Sequence, residues 1–219
     1  MNLQIDKKIL ICIYTCKKDR DLMLELKSSE WYKSCEKNPN IQFIDVYADE
    51  SPNESFMAND HELIVKTQES YDNLCIKTYE MIKSCLSFFD FDILIKLDAS
   101  IINDKHVSVS SVFSFNNFIN SFENGFFLRE EYGGYAKIEG NSIGSFRNWA
   151  SSQGLFVLPE ALFSEIGQDK WPSWYWSGKC YSLSRDLCEK VVSYPDVFEK
   201  FKNLMGGCED FCVACSLKH

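Results

Sequence analysis

Apolar and polar positions change period several times along this chain. Residues 8–16, KILICIYTC, form a continuous apolar, β-branched run, as a strand buried on both faces requires. The charged stretch from Asp19 to about Glu36 reads as a surface helix with Asp19 or Asp21 near its N-cap. IQFIDVYAD, residues 41–49, reads as a second strand, and the polar, breaker-rich SPNESFMANDHE, 51–62, as a loop. From Tyr71 to about Phe89, Leu74, Thr78, Met81, Ile82, Cys85, Leu86 and Phe89 recur as a helical stripe. DILIKL, 92–97, then reads as a third buried strand. The second half is less regular. Residues 111–122 read as a helix, 125–132 as a strand, and the Gly-, Ser- and Asn-rich 132–148 as a loop or hairpin. An aromatic cluster, a glycine, a short strand and a helix capped by Ser184 follow, and CEDFCVACSLKH closes the chain as a helix.

Strands that alternate with helices predict an α/β fold with a mostly parallel sheet covered by helices. Ligands of such sheets bind outside the carboxyl ends of the strands. That rule sorts the aspartates of FDFDILIKLDAS, residues 89–100. Asp90 and Asp92 spell a literal D-x-D but precede the strand, so they read as a helix-to-strand connection. Asp98 leaves at the carboxyl end and is the functional candidate. No repeat or long linker divides the chain, so residues 1–219 read as one domain.

Composition narrows the classes. Hydrophobic residues make up 45% and charged residues 25%, and 17 Phe stand against 5 Pro, so the chain can fill a core. A net charge of −9 disfavours nonspecific binding to nucleic acid or an anionic membrane, and an anionic ligand would need a local cationic pocket. No apolar run approaches the roughly 20 residues of a spanning helix. The short run after Lys7-Lys8 lacks a small-residue cleavage site and reads as a core strand rather than a signal peptide. A cytoplasmic location is the expectation. Ten Cys could suggest disulfides, but Cys12, Cys75, Cys85, Cys180 and Cys188 lie within apolar segments and read as reduced core thiols.

Four blocks carry a resemblance. Glu69-Ser-Tyr71-Asp-Asn73-Leu74-Cys-Ile-Lys77-Thr78 precedes ILIKLDASIIN by about twenty residues, and WPSWYWSGKCYSLSRD and CEDFCVA follow in order. The sequence resembles the family 31 glycosyltransferases, the β-1,3-galactosyltransferase and β-1,3-N-acetylglucosaminyltransferase group, over residues 8–215. Arg20 and Trp31 stand where that family has an early Arg and Trp. The resemblance implies a GT-A fold and transfer of a hexose from a UDP-sugar to a carbohydrate or other hydroxyl acceptor, with inversion. It implies Asp210 as the base that removes the acceptor proton, with Glu209 second. Thr15, Arg20, Asp49, Asn73, Lys77, Asp98 and Gly178 would frame the donor, and Trp171, Trp174, Tyr175 and Trp176 the acceptor cleft. Aromatic rings suit the apolar faces of sugars, although a Trp cluster can equally be a hydrophobic corner under a loop. Acids at 209–210 can also serve a helix N-terminus, and Lys77 can be a solvated surface charge. Glu69, Asn73 and Lys77, spaced at i, i+4 and i+8, share one face of the long helix.

The family uses a divalent metal, Mn²⁺ or Mg²⁺, held by a triple aspartate, but this chain reads Asp98-Ala99-Ser100 there. Three accounts stay open. Asp98 and Ser100 bind metal with help from Asp104 or His106; a cation such as Arg20, Lys77, Arg129 or Arg147 replaces the metal; or turnover has been lost. The last would leave a catalytically inactive relative that binds a sugar or nucleotide. A nucleotidyl-type enzyme is disfavoured, because no Gly-rich phosphate loop follows the first strand. Cys208, Cys212, Cys215 and His219 imitate a zinc site, but on one helix they would spread over about 16 Å, beyond one tetrahedral ion.

Overall fold

The structure is a computed structural model, and it describes residues 5–103, 115–125, 127, 132–134, 137–139, 174–176, 178–205 and 209–218. Its strands are β1 (Ile9–Tyr14), β2 (Ile41–Asp49), β3 (Phe56–Ala58), β4 (Glu62–Lys66), β5 (Ile93–Asp98), β6 (Tyr132–Gly134), β7 (Lys137–Glu139), β8 (Trp174–Trp176) and β9 (Cys180–Ser184). Its helices are α1 (Arg20–Ser28), α2 (Glu30–Cys35), α3 (Leu74–Phe88), α4 (Phe115–Glu123), α5 (Arg185–Val192), α6 (Pro195–Met205) and α7 (Glu209–Lys218). A seven-stranded mixed sheet runs β3-β4-β2-β1-β5-β9-β6, and β7 and β8 form a separate antiparallel pair. The centre of the sheet is parallel, as the alternation of strands and helices predicts: β1 pairs with β2 and β5, and β2 with β4. β3, β9 and β6 run antiparallel to their neighbours.

Alternate residues of β1 feed two cores. Leu10, Cys12 and Tyr14 face a cluster completed by α3, α5, α6 and α7, while Ile9, Ile11 and Ile13 face one completed by α1, α2 and α4. All six are buried, which is why the stretch reads as continuous apolar sequence rather than an alternation. Trp31 anchors the second core, packing edge-on to Phe43, Phe118 and Phe122 at 5.8, 5.0 and 5.4 Å.

Several boundaries differ from the sequence reading. The first surface helix is two helices, because Ser29 leaves helical geometry and its hydroxyl accepts from Tyr32 N at 3.2 Å, capping α2. The supposed loop at 51–62 contains β3 and leads into β4. α3 starts at Leu74, after a 3-10 turn at Tyr71–Asn73, so Glu69 and Asn73 lie before the helix instead of on its face. Ser184 caps α5 as expected, its hydroxyl accepting from Leu187 N at 3.4 Å. No described helix is long and apolar enough to cross a membrane.

Candidate functional site

The chain leaves β1 toward β2 and β4, then crosses back to place β5 on the other side of β1. The carboxyl ends of β1 and β5 therefore flank a point where connections diverge, the place where open α/β sheets form a crevice. Tyr14 and Asp98 are paired across that end. A cleft of about 620 Å³ opens there, walled by Thr15 and Asp19 after β1, Asp49 after β2, Glu69 and Lys77 around the start of α3, and Asp98 after β5.

One wall is built by the ion pair of a buried lysine with a partly exposed glutamate. Lys77 is 2% exposed, and its ammonium donates to Glu69 Oε1 and Oε2 at 2.9 and 2.8 Å and to Thr15 O at 2.6 Å. Glu69 Oε2 also accepts from Ala48 N at 2.9 Å. This lysine thus ties the end of β1, the end of β2 and α3 together. Burial lowers its proton affinity below the ordinary lysine value, although Glu69 pulls the other way.

A second buried lysine lies across Tyr14. The ammonium groups of Lys77 and Lys96 sit 4.4 and 4.6 Å from the Tyr14 ring centroid. Lys96, on β5, is 1% exposed; it donates to Glu209 Oε1 at 3.0 Å and to Gly178 O, with Asp98 Oδ2 at 4.0 Å. Burial lowers its proton affinity, but Glu209 and Asp98 outweigh burial and the net shift is upward. Gly178 N in turn donates to Asp210 Oδ2 at 2.9 Å. A Cβ on Gly178 would lie 2.5 Å from Glu209 Oε1 and 3.3 Å from Asp210 Oδ2, so only a bare backbone fits between the two acids. Glycine here makes room for the protein's own carboxylates. Burial and the adjoining Glu209 charge raise the Asp210 carboxyl to about 7, against the backbone N–H groups of Gly178 and Phe211 that hold it down.

β9 runs antiparallel to β5, and this brings Lys179 to the same sheet end: Asp98 N donates to Lys179 O at 2.8 Å. Asp98 Oδ1 accepts from Ser100 N at 2.9 Å and from Ser100 Oγ at 2.6 Å, and Lys179 Nζ donates to Ser100 Oγ. Burial would raise the Asp98 carboxyl, yet Lys96, Lys179 and the two Ser100 bonds hold it below the usual aspartate value. The described donors, Asp98 and Ser100, suit Mn²⁺ or Mg²⁺ poorly. Such an ion needs as few as one carboxylate when water and phosphate fill its other places, but here Asp98 Oδ1 already accepts two Ser100 bonds and the ammonium groups of Lys96 and Lys179 beside it repel a divalent cation. No group of three or more His, Cys, Asp or Glu poised for a metal occurs among the described residues. Asp104 and His106 lie outside them.

Thr15, Asp49, Lys77 and Asp98 meet at the cleft. Glu209, Asp210 and Gly178 gather behind Asp98 through Lys96. Arg20 is exposed on the first turn of α1 and is not among the cleft's lining, and Asn73 turns back to donate to Ser70 Oγ at 2.9 Å. Trp174, Tyr175 and Trp176 form β8, which packs against α7, the helix that carries Asp210; Trp171 lies outside the described residues, as do Arg129 and Arg147. Cys212 and Cys215 are buried in the core, with Cys212 Sγ 3.4 Å from Cys75 Sγ, while Cys208 and His219 lie outside the described residues. The described cysteines are free thiols.

Lys179 escapes a reading by sequence. Its only signal is a lysine between the glycine and the strand, and its meaning depends on the antiparallel pairing of β9 with β5. Neither a protein-family model nor a curated protein matches the chain.

Proposed function

We propose that the chain is an inverting glycosyltransferase of GT-A type, resembling the β-1,3-galactosyltransferase group. It would move galactose or an N-acetylhexosamine from a UDP-sugar to a hydroxyl of a glycan or other acceptor. The observation that carries this reading is the meeting of Asp98 with the Glu209–Asp210 pair, 111 and 112 positions later, around one lysine at the carboxyl end of the sheet. The order of the matching blocks along the chain supports it, and so does a cleft of about 620 Å³ with Thr15 and Asp49 in its walls.

In this reading Asp210 accepts the proton of the acceptor hydroxyl as that oxygen forms its bond to the anomeric carbon. The bond from that carbon to the diphosphate oxygen breaks, and UDP leaves with the electron pair. A carboxyl raised to about 7 is matched to proton transfer near neutrality. The test is UDP release from a panel of UDP-hexoses, with UDP affinity measured in parallel. Asp210→Asn is expected to cut turnover by about 10²-fold or more while UDP still binds. Equal turnover would remove Asp210 as base.

A second reading has one observation in its favour: Ala99 and Ser100 stand where the resembling family has two more aspartates. A nucleotide- or sugar-binding relative without turnover would bind UDP and consume no UDP-sugar in the same assay.

A further inference from the structure

The two lysines behind the cleft pose an electrostatic problem that their carboxylates solve only in part. Lys77 and Lys96 are 2% and 1% exposed, so water screens neither charge. Glu69 meets Lys77 at 2.8 Å, and Glu209 meets Lys96 at 3.0 Å with Asp98 at 4.0 Å. Burial lowers the proton affinity of Lys77 first of all, and the charge of Lys96 lowers it further.

What the two ammonium groups share is one aromatic ring. The pairing of β1 with β5 sets Lys96 beside Cys12, on the face of the sheet that carries Tyr14, and α3 brings Lys77 onto the same face. Both ammonium groups lie against the Tyr14 ring, at 4.4 and 4.6 Å from its centroid. An aromatic face carries negative potential and attracts a cation most strongly where water is excluded. Tyr14 is 4% exposed and lines the cleft. Its hydroxyl fixes the ring to α3, bonding Thr78 Oγ1 at 3.0 Å and donating to Leu74 O at 3.4 Å. Burial pushes the phenol well above its ordinary range, so the ring adds no charge of its own at neutral pH. Of the groups around Lys77, Glu69 and Cys16 favour its charge and Lys96 opposes it. Asp19 and Asp98 line the same cleft, and Glu209 of α7 is taken up by Lys96.

We propose that Tyr14 is a positioning residue for the donor site: its ring lets both lysines stay charged side by side, and so keeps the Lys77–Glu69 wall of the cleft joined next to the Lys96–Glu209 pair. For its ligand this rests on the UDP-sugar reading above. An aliphatic residue at position 14 would fill much of the space and leave two desolvated ammonium groups against hydrocarbon. Lys77 would then give up its proton first, because at Lys96 burial is outweighed by Glu209 and Asp98. A neutral Lys77 loses its charge pairing with Glu69, and the wall loses the tie between β1, β2 and α3.

Titration of wild-type chain, Tyr14→Phe and Tyr14→Leu with UDP from about pH 7 to 10 tests this, with melting temperatures read over the same range. Tyr14→Phe keeps the ring and should keep most of the affinity. Tyr14→Leu should weaken UDP by about tenfold at neutral pH, within the range of a desolvated cation–π contact. Affinity should fall with rising pH in all three chains as Lys77 loses its proton, and the midpoint of that fall should lie about one pH unit lower in Tyr14→Leu than in Tyr14→Phe. The melting temperatures should show the opposite trend. Tyr14→Leu melts below Tyr14→Phe near neutrality, and the gap narrows as pH rises, because a neutral Lys77 has no need of the ring. Loss of bulk alone would produce a gap and an affinity loss that pH does not change. That result, or a Phe variant that falls as far as the Leu variant, would overturn the role of the ring. A wild-type chain that binds no UDP at any pH would overturn the donor reading instead, and the pH dependence of the melting gap would still decide for or against the ring.

Discussion

Asp210 is a carboxyl group under opposed forces. Burial and the Glu209 carboxylate favour its proton, while the N–H groups of Gly178 and Phe211 favour its charge, and the balance lies at about 7. An unfolded aspartate releases its proton near 3.8, so between about pH 4 and 7 the folded chain keeps a proton that the unfolded chain has lost. This residue's contribution to stability therefore falls as pH rises through that window. Asp98 works in the opposite sense. Its carboxyl is held below the ordinary value, so its contribution is present at neutral pH and lost as pH falls below about 4. Urea unfolding at about pH 4.5 and 7.5 is expected to show the descending limb in wild-type chain and a flatter profile in Asp210→Asn. An identical slope in the variant would mean that the proton is held elsewhere. A base acts only when ionised, so the proposed transfer should gain kcat/KM over the same pH window in which the fold loses stability.

At the level of whole elements, the literal D-x-D holds the amino end of the sheet, away from the cleft. Asp92 Oδ2 accepts from Lys8 N at 2.8 Å, Asp92 N donates to Lys8 O at 2.8 Å, and Asp90 pairs with the Lys8 ammonium at the surface. Arg185 N adds a bond to Asp92 O at 2.9 Å, so β5 is aligned with β1 and with the start of α5. Changing Asp90 and Asp92 together to Asn should leave UDP affinity as it is and cost little stability, because these side chains are exposed. Loss of UDP binding in the double variant, with an unchanged melting curve, would reopen the D-x-D as a ligand site. That the sequence could place these acids at the wrong end follows from β1, β2 and β5 being readable as runs. Each is buried over most of its length, so apolar character alone marks it. β3 and β4 left no such mark: β3 is three residues at the sheet edge, and β4 buries only Leu63 and Val65. The sequence reading likewise has no element for α6. Half of the candidate site was legible, since Asp98, Thr15 and Asp49 each end a readable strand. Glu69 joins Lys77 from a loop across a 3-10 turn, and Lys179 meets Ser100 across an antiparallel pair, and neither arrangement has a local period to read.

Across the whole molecule, the site depends on one long-range pairing. Lys96 lies near the carboxyl end of β5 on the first-core face of the sheet, its ammonium over Tyr14, and Glu209 opens α7, 113 positions later. Their side chains are 2% and 7% exposed and 3.0 Å apart. Without α7 docked on the sheet, Lys96 would carry a buried charge whose nearest remaining acid, Asp98, lies at 4.0 Å. The C-terminal helix that holds Asp210 is therefore tied, besides its apolar packing, to the same ammonium that lies beside Asp98. Removing one partner of a buried pair strands the other and typically costs about 3–5 kcal/mol, whereas replacing both by apolar groups of similar volume is often neutral. Glu209→Gln should lower stability by about 3 kcal/mol, since Asp98 and Gly178 O still face the surviving ammonium, and Lys96→Met by about 5 kcal/mol, since it strands the Glu209 carboxylate beside Asp210 and the Gly178 carbonyl. The double variant Lys96→Met/Glu209→Leu should recover most of that loss in urea unfolding. Two single losses that simply add in the double variant would show that the residues do not act as a pair, and that α7 is held by its apolar face alone. Recovery of stability without recovery of UDP-sugar turnover would separate what this lysine does for the fold from what it does for the site.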